Sequence, residues 1–104
     1  MKTYGEERSF LESCGVRVVE LSDESGRARV CLVPAWQGRV TTSTAAGTGG
    51  PGYGWINRSL IASGVRKSRF NPFGGEERLW LGPEGGPFSL YFAPGAEQVY
   101  ANWQ

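Results

Sequence analysis

Residues 16–44 read VRVVELSDESGRARVCLVPAWQGRVTTST and contain three β-rich segments separated by short turns. Residues 16–21 and 27–33 alternate, imperfectly, between apolar and polar side chains. The DESG tetrapeptide at residues 23–26 is typical of a hairpin turn between two such strands. Residues 39–44 predict a third strand, whose threonines suit a half-exposed sheet. This pattern indicates a sheet-dominated fold with antiparallel strands.

Short helices and further strands are predicted on both sides of this region. Residues 3–6, TYGE, have the spacing of a capping box and predict a helix over residues 5–14. A second helix is predicted over residues 58–63, between an Asn that can cap it and a Gly that can end it. Residues 78–81 and 88–92 predict two more strands, so the whole chain is expected to form four to six.

A glycine-rich segment at residues 47–52, GTGGPG, matches the G-x-G-x-x-G fingerprint of dinucleotide-binding proteins. In those proteins a helix opens at the third glycine and holds the pyrophosphate at its N-terminus. Here a Pro, a Tyr and another Gly intervene, and no parallel βαβ unit can be identified. The segment is therefore predicted to be a loop, and no nucleotide cofactor is expected.

The totals of the chain exclude several classes of function. Its 104 residues predict a single domain spanning residues 1–104. Eleven basic and ten acidic residues give a formal net charge of +1, which offers no field for nucleic acid or an anionic membrane. Neither a signal peptide nor an apolar run of about 18 residues is present, so a cytoplasmic protein without a membrane partner is expected.

The content of potential metal ligands argues against a metal site. The chain has no His, and its two cysteines, Cys14 and Cys31, belong to no Cys-x-x-Cys pair. Cys31 lies in an apolar strand pattern and is predicted to be a small buried residue. The spacing of the two cysteines leaves open whether they form a disulfide.

Residues 70–86, FNPFGGEERLWLGPEGG, place charges and large apolar side chains between glycine-rich turns. Arg78 and Trp80 would share one face of a strand. An Arg donates to hydroxyl or carboxylate oxygens, and a Trp offers a flat apolar face on which a sugar ring can rest. Two alternatives stay open, in which Arg78 forms a structural salt bridge and Trp80 belongs to the core.

The carboxylates of this region suggest binding more than hydrolysis. Glu76 and Glu84 could face each other across a hairpin, as the paired acids of glycoside hydrolases do. No His or nearby Asp supports such a catalytic pair, so no catalytic residue is assigned. Alternatively, these acids pair with Arg78 and accept hydrogen bonds from turn N–H groups. The predicted ligand-binding residues are Arg78, Glu76, Glu84, Asn71 and Trp80.

Several motifs together resemble a known family. They are TYGE at residues 3–6, VPAWQGRV at 33–40, TST at 42–44, GWIN at 54–57, and all of residues 70–86. In this order they resemble the N-terminal part of an uncharacterised bacterial family with a galactose mutarotase-like (aldose 1-epimerase-like) β-supersandwich. The resemblance implies a mainly β fold with a concave sheet that faces a carbohydrate, with residues 74–78 near the sugar pocket.

The resemblance also bears on the extent and the function of the chain. Members of that family are several times longer, and this chain ends on YANWQ, so it is expected to be an N-terminal fragment. It would supply one wall of a site that binds or modifies a sugar. Mutarotases use a His acid and a Glu base, so the fragment alone is not expected to be catalytic, while the full-length protein could be epimerase-like. The alternative is a small non-enzymatic β-rich module that self-associates or docks on a partner through an open sheet edge.

Overall fold

The computed structural model describes residues 2–67, 70–79, 87 and 92–102. The chain forms two compact units, the first made of residues 1–65 and 72–79 and the second of residues 66–71 and 80–104. The helices and strands of the first unit are, in chain order, α1 (Tyr4–Ser13), β1 (Val19–Ser22), β2 (Arg29–Val33), a 3-10 turn (Pro34–Trp36), β3 (Arg39–Thr44) and α2 (Arg58–Ser63).

The three strands form one antiparallel sheet in the order β1-β2-β3. Glu20 lies opposite Cys31, and Cys31 lies opposite Thr42. The prediction of a mainly β fold with short helices is confirmed at this level. Within the described residues the sheet has three strands rather than four to six, and Arg78 and Leu79 do not form a regular strand.

The third strand is more deeply buried than its composition predicts. The register shifts after Cys31, so that β3 carries Thr41 as an extra residue at a bulge. Because a bulge sets two residues against one, the neighbours Thr41 and Thr42 are both 0% exposed. The Thr41 hydroxyl donates to the Cys31 carbonyl at 3.0 Å. The expectation of a half-exposed strand was therefore wrong.

Both helices follow their local signals. Thr3 and Glu6 form the capping box of α1, each side chain accepting from the other residue's backbone N–H. Gly15 follows the helix at a φ of 76°, the left-handed conformation that ends many helices. In α2, Asn57 accepts from a backbone N–H in the first turn, and Gly64 ends the helix at a φ of 72°. The two helix predictions are thus confirmed.

The glycine-rich loop meets the first helix through its carbonyl groups. The oxygens of Thr48 and Gly50 accept from the backbone N–H groups of Gly5 and Tyr4, both at 2.9 Å. A phosphate-binding loop presents N–H groups instead. The loop at residues 47–52 therefore serves to hold the N-terminus of α1 against the sheet.

The core lies between α1, α2 and the buried face of the sheet. Within it the rings of Trp36 and Phe73 stack with centroids 4.0 Å apart. Cys31 is fully buried, as predicted, and burial raises the pKa of its thiol. Both cysteines are free thiols. The buried apolar members of the core are Tyr4, Leu11, Cys31, Val33, Trp36, Ile56, Ile61 and Phe73.

The second unit contains a 3-10 turn, Tyr100–Asn102, and the buried side chain of Phe92. Asn71 lies in this unit, where its side chain accepts from the Lys67 N–H at 2.7 Å and donates to the Lys67 carbonyl at 2.8 Å. The strand predicted at residues 88–92 lies outside the described residues except for Phe92.

A carboxylate between the helix and the hairpin connects three elements. Glu20 on β1 accepts from Tyr4 at 2.9 Å and Arg8 at 2.7 Å, both on α1, and from Arg29 on β2 at 2.6 Å. Arg29 also donates to the carbonyl of Gly26 in the hairpin turn. Burial by itself would raise the pKa of Glu20, but the hydrogen bonds and the charges of Arg8 and Arg29 outweigh it and lower the pKa.

We expect the Glu20→Gln variant to lose about 1–3 kcal/mol of unfolding free energy at pH 7, because charged hydrogen bonds are lost. The folded chain lowers the pKa of Glu20, so this stabilisation is complete above the unfolded pKa of about 4.3 and decreases as pH falls. The variant should therefore show a flatter loss of stability in acid. Urea titrations at several pH values test this, with Glu24→Gln in the exposed turn as control; equal curves for all three proteins would contradict it.

Candidate functional site

The segment at residues 74–79 contains two of the predicted binding residues and runs beside β3. The backbone N–H of Glu76 donates to the Val40 carbonyl at 2.8 Å, and the Val40 N–H donates to the Glu77 carbonyl at 2.7 Å. This antiparallel pairing brings Glu76 and Arg78 to the edge of the sheet. Trp80 and Glu84 lie outside the described residues, and Asn71 belongs to the second unit.

The polar groups of this segment are engaged by the protein itself. Glu76 is exposed, and its carboxylate accepts from the Ser43 hydroxyl at 3.0 Å. The Glu77 carboxylate accepts from the backbone N–H of half-buried Arg78 at 3.3 Å.

A concave site lies beside this segment, where the chain crosses between the glycine-rich loop and α2. It is a cavity of about 390 Å³ lined by residues 52–56 together with Lys2, Glu7 and Arg58. Its volume lies within the usual range of small-molecule pockets. None of its charged side chains was among the residues predicted from the sequence.

A buried carboxylate gives this cavity its chemistry. Arg58 donates to Oε1 of Glu7 at 2.9 Å, and the two side chains are 35% and 7% exposed. The other oxygen, Oε2, is buried and has no hydrogen-bond partner within the described part of the chain. A buried carboxylate oxygen without a donor destabilises the folded chain, since it has lost its hydration and gained no hydrogen bond.

Two aromatic residues line the same cavity and are open to solvent. Tyr53 is 60% exposed and Trp55 is 68% exposed. Aromatic side chains of this kind provide apolar contact area together with a polar group at one end. The site thus combines flat apolar surfaces with a buried acceptor.

Gly74 and Gly75, which were predicted to lie near a sugar pocket, hold Trp55 in place. Gly75 donates to the Trp55 carbonyl at 2.6 Å. Gly74 has a φ of 87°, and a Cβ there would lie 2.8 Å from Cε3 of the Trp55 indole. Only a residue without a side chain allows both this backbone conformation and this approach.

Another glycine sets the depth of the cavity wall. A Cβ on Gly54 would collide with the Thr41 carbonyl oxygen and lie 3.0 Å from Cγ of Glu76. The absence of a side chain lets residues 52–56 lie directly against β3. This explains why a glycine stands at position 54.

Sequence reasoning missed the charged residues of the cavity for a physical reason. Glu7 and Arg58 are 51 positions apart, and each is an ordinary surface residue on its own helix pattern. Trp55 carried a weak signal, because GWIN at residues 54–57 was one of the motifs of the resemblance. The described residues contain no group of three or more His, Cys, Asp or Glu that could hold a metal ion.

Comparison with known proteins places the chain in a family. It belongs to a family of unknown function, DUF6786, whose family model matches residues 2–104. A search of curated proteins and a search of solved structures gave no significant match. Among the described helices, none is long and apolar enough to cross a membrane.

We expect Gly54→Ala to destabilise the protein by about 2 kcal/mol or more, because the added methyl group meets backbone rather than a movable side chain. The displaced wall should also change the environment of Trp55. Thermal unfolding and near-UV circular dichroism measure the two effects. Gly49→Ala is the matched control, since Gly49 has open space around it and no positive φ; equal stability of the two variants would contradict the prediction.

Proposed function

We propose that this protein binds a carbohydrate in the cavity lined by residues 52–56, and that it forms one wall of the sugar site of a galactose mutarotase-like protein. The observation that supports this most directly is the combination of exposed Trp55 and Tyr53 with the partly exposed guanidinium group of Arg58 in one cavity. Nucleic acid and membrane surfaces are not proposed as partners, given the net charge of +1.

A sugar matches both kinds of surface in this cavity. The carbon-bound hydrogens on one face of a pyranose ring can pack on an indole or phenol ring. The hydroxyl groups around the ring can accept from the guanidinium group of Arg58, whose side chain is 35% exposed in the cavity. Specific small-molecule sites commonly pair apolar walls with a few placed polar groups.

The binding residues predicted from the sequence would make additional contacts with the ligand. Glu76 and Arg78 lie at the sheet edge beside the segment that supports Trp55, where they would contact a larger ligand. Asn71, Trp80 and Glu84 remain proposed contacts on the strength of the sequence pattern. The chain has no His, so the proposal is binding by these residues, with any epimerase-like reaction depending on groups elsewhere in a full-length protein.

The finer fold assignment belongs to the same proposal. The sheet has a second face opposite α1, on which Leu21, Val30 and Leu32 point away from the core. In a β-supersandwich such a face would be covered by another sheet. The three-stranded sheet would then be one portion of that larger architecture.

The Trp55→Ala variant should bind sugar about tenfold more weakly than the unmodified protein, because an aromatic anchor is lost. Calorimetric titration with a panel of hexoses and their derivatives measures this. Tyr100→Ala is the matched control, since Tyr100 is equally exposed and does not line the cavity. The proposal would be abandoned if no sugar binds, or if Trp55→Ala binds every sugar as tightly as the unmodified protein.

The second candidate is an interaction module that self-associates through its sheet edge. It is favoured by one observation: β1 is an edge strand of the sheet formed by the described residues, and its Leu21 is 59% exposed beside half-buried Val30. A second copy could pair with β1 and cover this apolar face.

Sedimentation velocity distinguishes this candidate. Self-association predicts a sedimentation coefficient that rises with protein concentration and returns to the monomer value in Leu21→Lys, because a charge opposes edge pairing. Val65→Lys is the control, as Val65 is another exposed apolar residue outside the strands. A folded monomer at every concentration would exclude the interaction module.

A further inference from the structure

The charged side chains that line the cavity carry a net positive charge. Lys2 and Arg58 are cationic, and Glu7 is the acid among the lining residues. The Glu7–Arg58 ion pair neutralises one positive charge, so the charge of Lys2 remains. The Lys2 carbonyl accepts from the Gly52 N–H at 3.2 Å, but its ammonium group forms no hydrogen bond or ion pair with the described part of the chain.

Arg58 is held in a fixed position from two sides. Its NH2 group donates to Glu7 at 2.9 Å, and its Cζ atom lies 4.4 Å from the centroid of the Phe10 ring. This contact uses one of the five N–H donors of a guanidinium group, and the side chain keeps 35% of its surface open. A fixed, partly exposed Arg is well suited to bind a planar or tetrahedral anion.

The nearest acid of the predicted site does not offset this charge within the cavity. Glu76 packs beside Gly54, yet it is not one of the lining residues, and its carboxylate accepts from Ser43 on the other face of the sheet. Glu6 is engaged at the start of α1, where its carboxylate accepts from the Thr3 N–H.

We propose that the sugar bound here carries an anionic group, a carboxylate or a phosphate, which contacts Arg58 and Lys2. The sugar ring then packs on exposed Trp55. This inference rests on the proposed function and narrows it from sugars in general to acidic sugars.

Matched pairs of sugars test the charge requirement by calorimetric titration of the protein at low salt. The pairs are glucose with glucuronate, galactose with galacturonate, and glucose with glucose 6-phosphate. The acidic member should bind about fivefold or more tightly, and the difference should shrink as salt is added. The first two pairs report on a carboxylate and the third on a phosphate, so the three together identify the anionic group.

Lys2→Met and Lys67→Met separate a local contact from a general charge effect. Both variants remove one exposed Lys, but Lys67 belongs to the second unit and does not line the cavity. Lys2→Met should lose most of the preference for acidic sugars while keeping the affinity for neutral ones. Lys67→Met should keep both.

The outcomes that overturn this inference are distinct from those that overturn the proposed function. If neutral sugars bind as tightly as acidic ones and binding still depends on Trp55, the charge requirement is wrong and sugar binding stands. If inorganic phosphate or glucuronate binds equally well to Trp55→Ala and no neutral sugar binds, the site holds an adventitious ion only, and both proposals fail.

Discussion

The close contact between Gly54 and the Thr41 carbonyl determines where the cavity of this protein lies. It allows residues 52–56 to lie directly on β3, in the position where a further strand would otherwise pair. The bulge at Thr41 belongs to the same arrangement, because it turns two consecutive threonines toward the core. The exposed aromatics and the buried carboxylate meet in one cavity because this wall is fixed by backbone contacts.

The Glu7–Arg58 pair connects this wall to the two helices, although it is not an obvious source of stability. Burying an ion pair removes hydration that the mutual attraction only partly replaces. Here Oε2 of Glu7 has no hydrogen-bond donor among the described residues, so the single bond to Oε1 only partly offsets the lost hydration of the carboxylate. The pair therefore serves to join α1 to α2 beside the cavity more than to add stability.

Much of the fold could be predicted because its signals are local. The capping box at Thr3, the Asn57 cap and the glycines after both helices each act within a few residues. The bulge and the cavity could not be predicted in this way. They depend on contacts between positions far apart, such as Glu7 with Arg58, for which neither residue carries a local signal. The burial of β3 was predicted wrongly because threonines occur in exposed and in buried strands, so the composition of the strand does not determine its exposure.

Of the sequence pattern at residues 70–86, the described residues 72–79 belong to the same unit as the cavity. The pattern drew attention to the charges of Glu76 and Arg78. In the structure the more direct contribution comes from the backbone of Gly74 and Gly75, which hold Trp55 at the cavity wall. Glycines in a charged, aromatic segment can therefore position an aromatic residue from elsewhere in the chain. Under this interpretation, Gly74 is a positioning residue, and its requirement for a positive φ is a constraint of the site as much as of the fold.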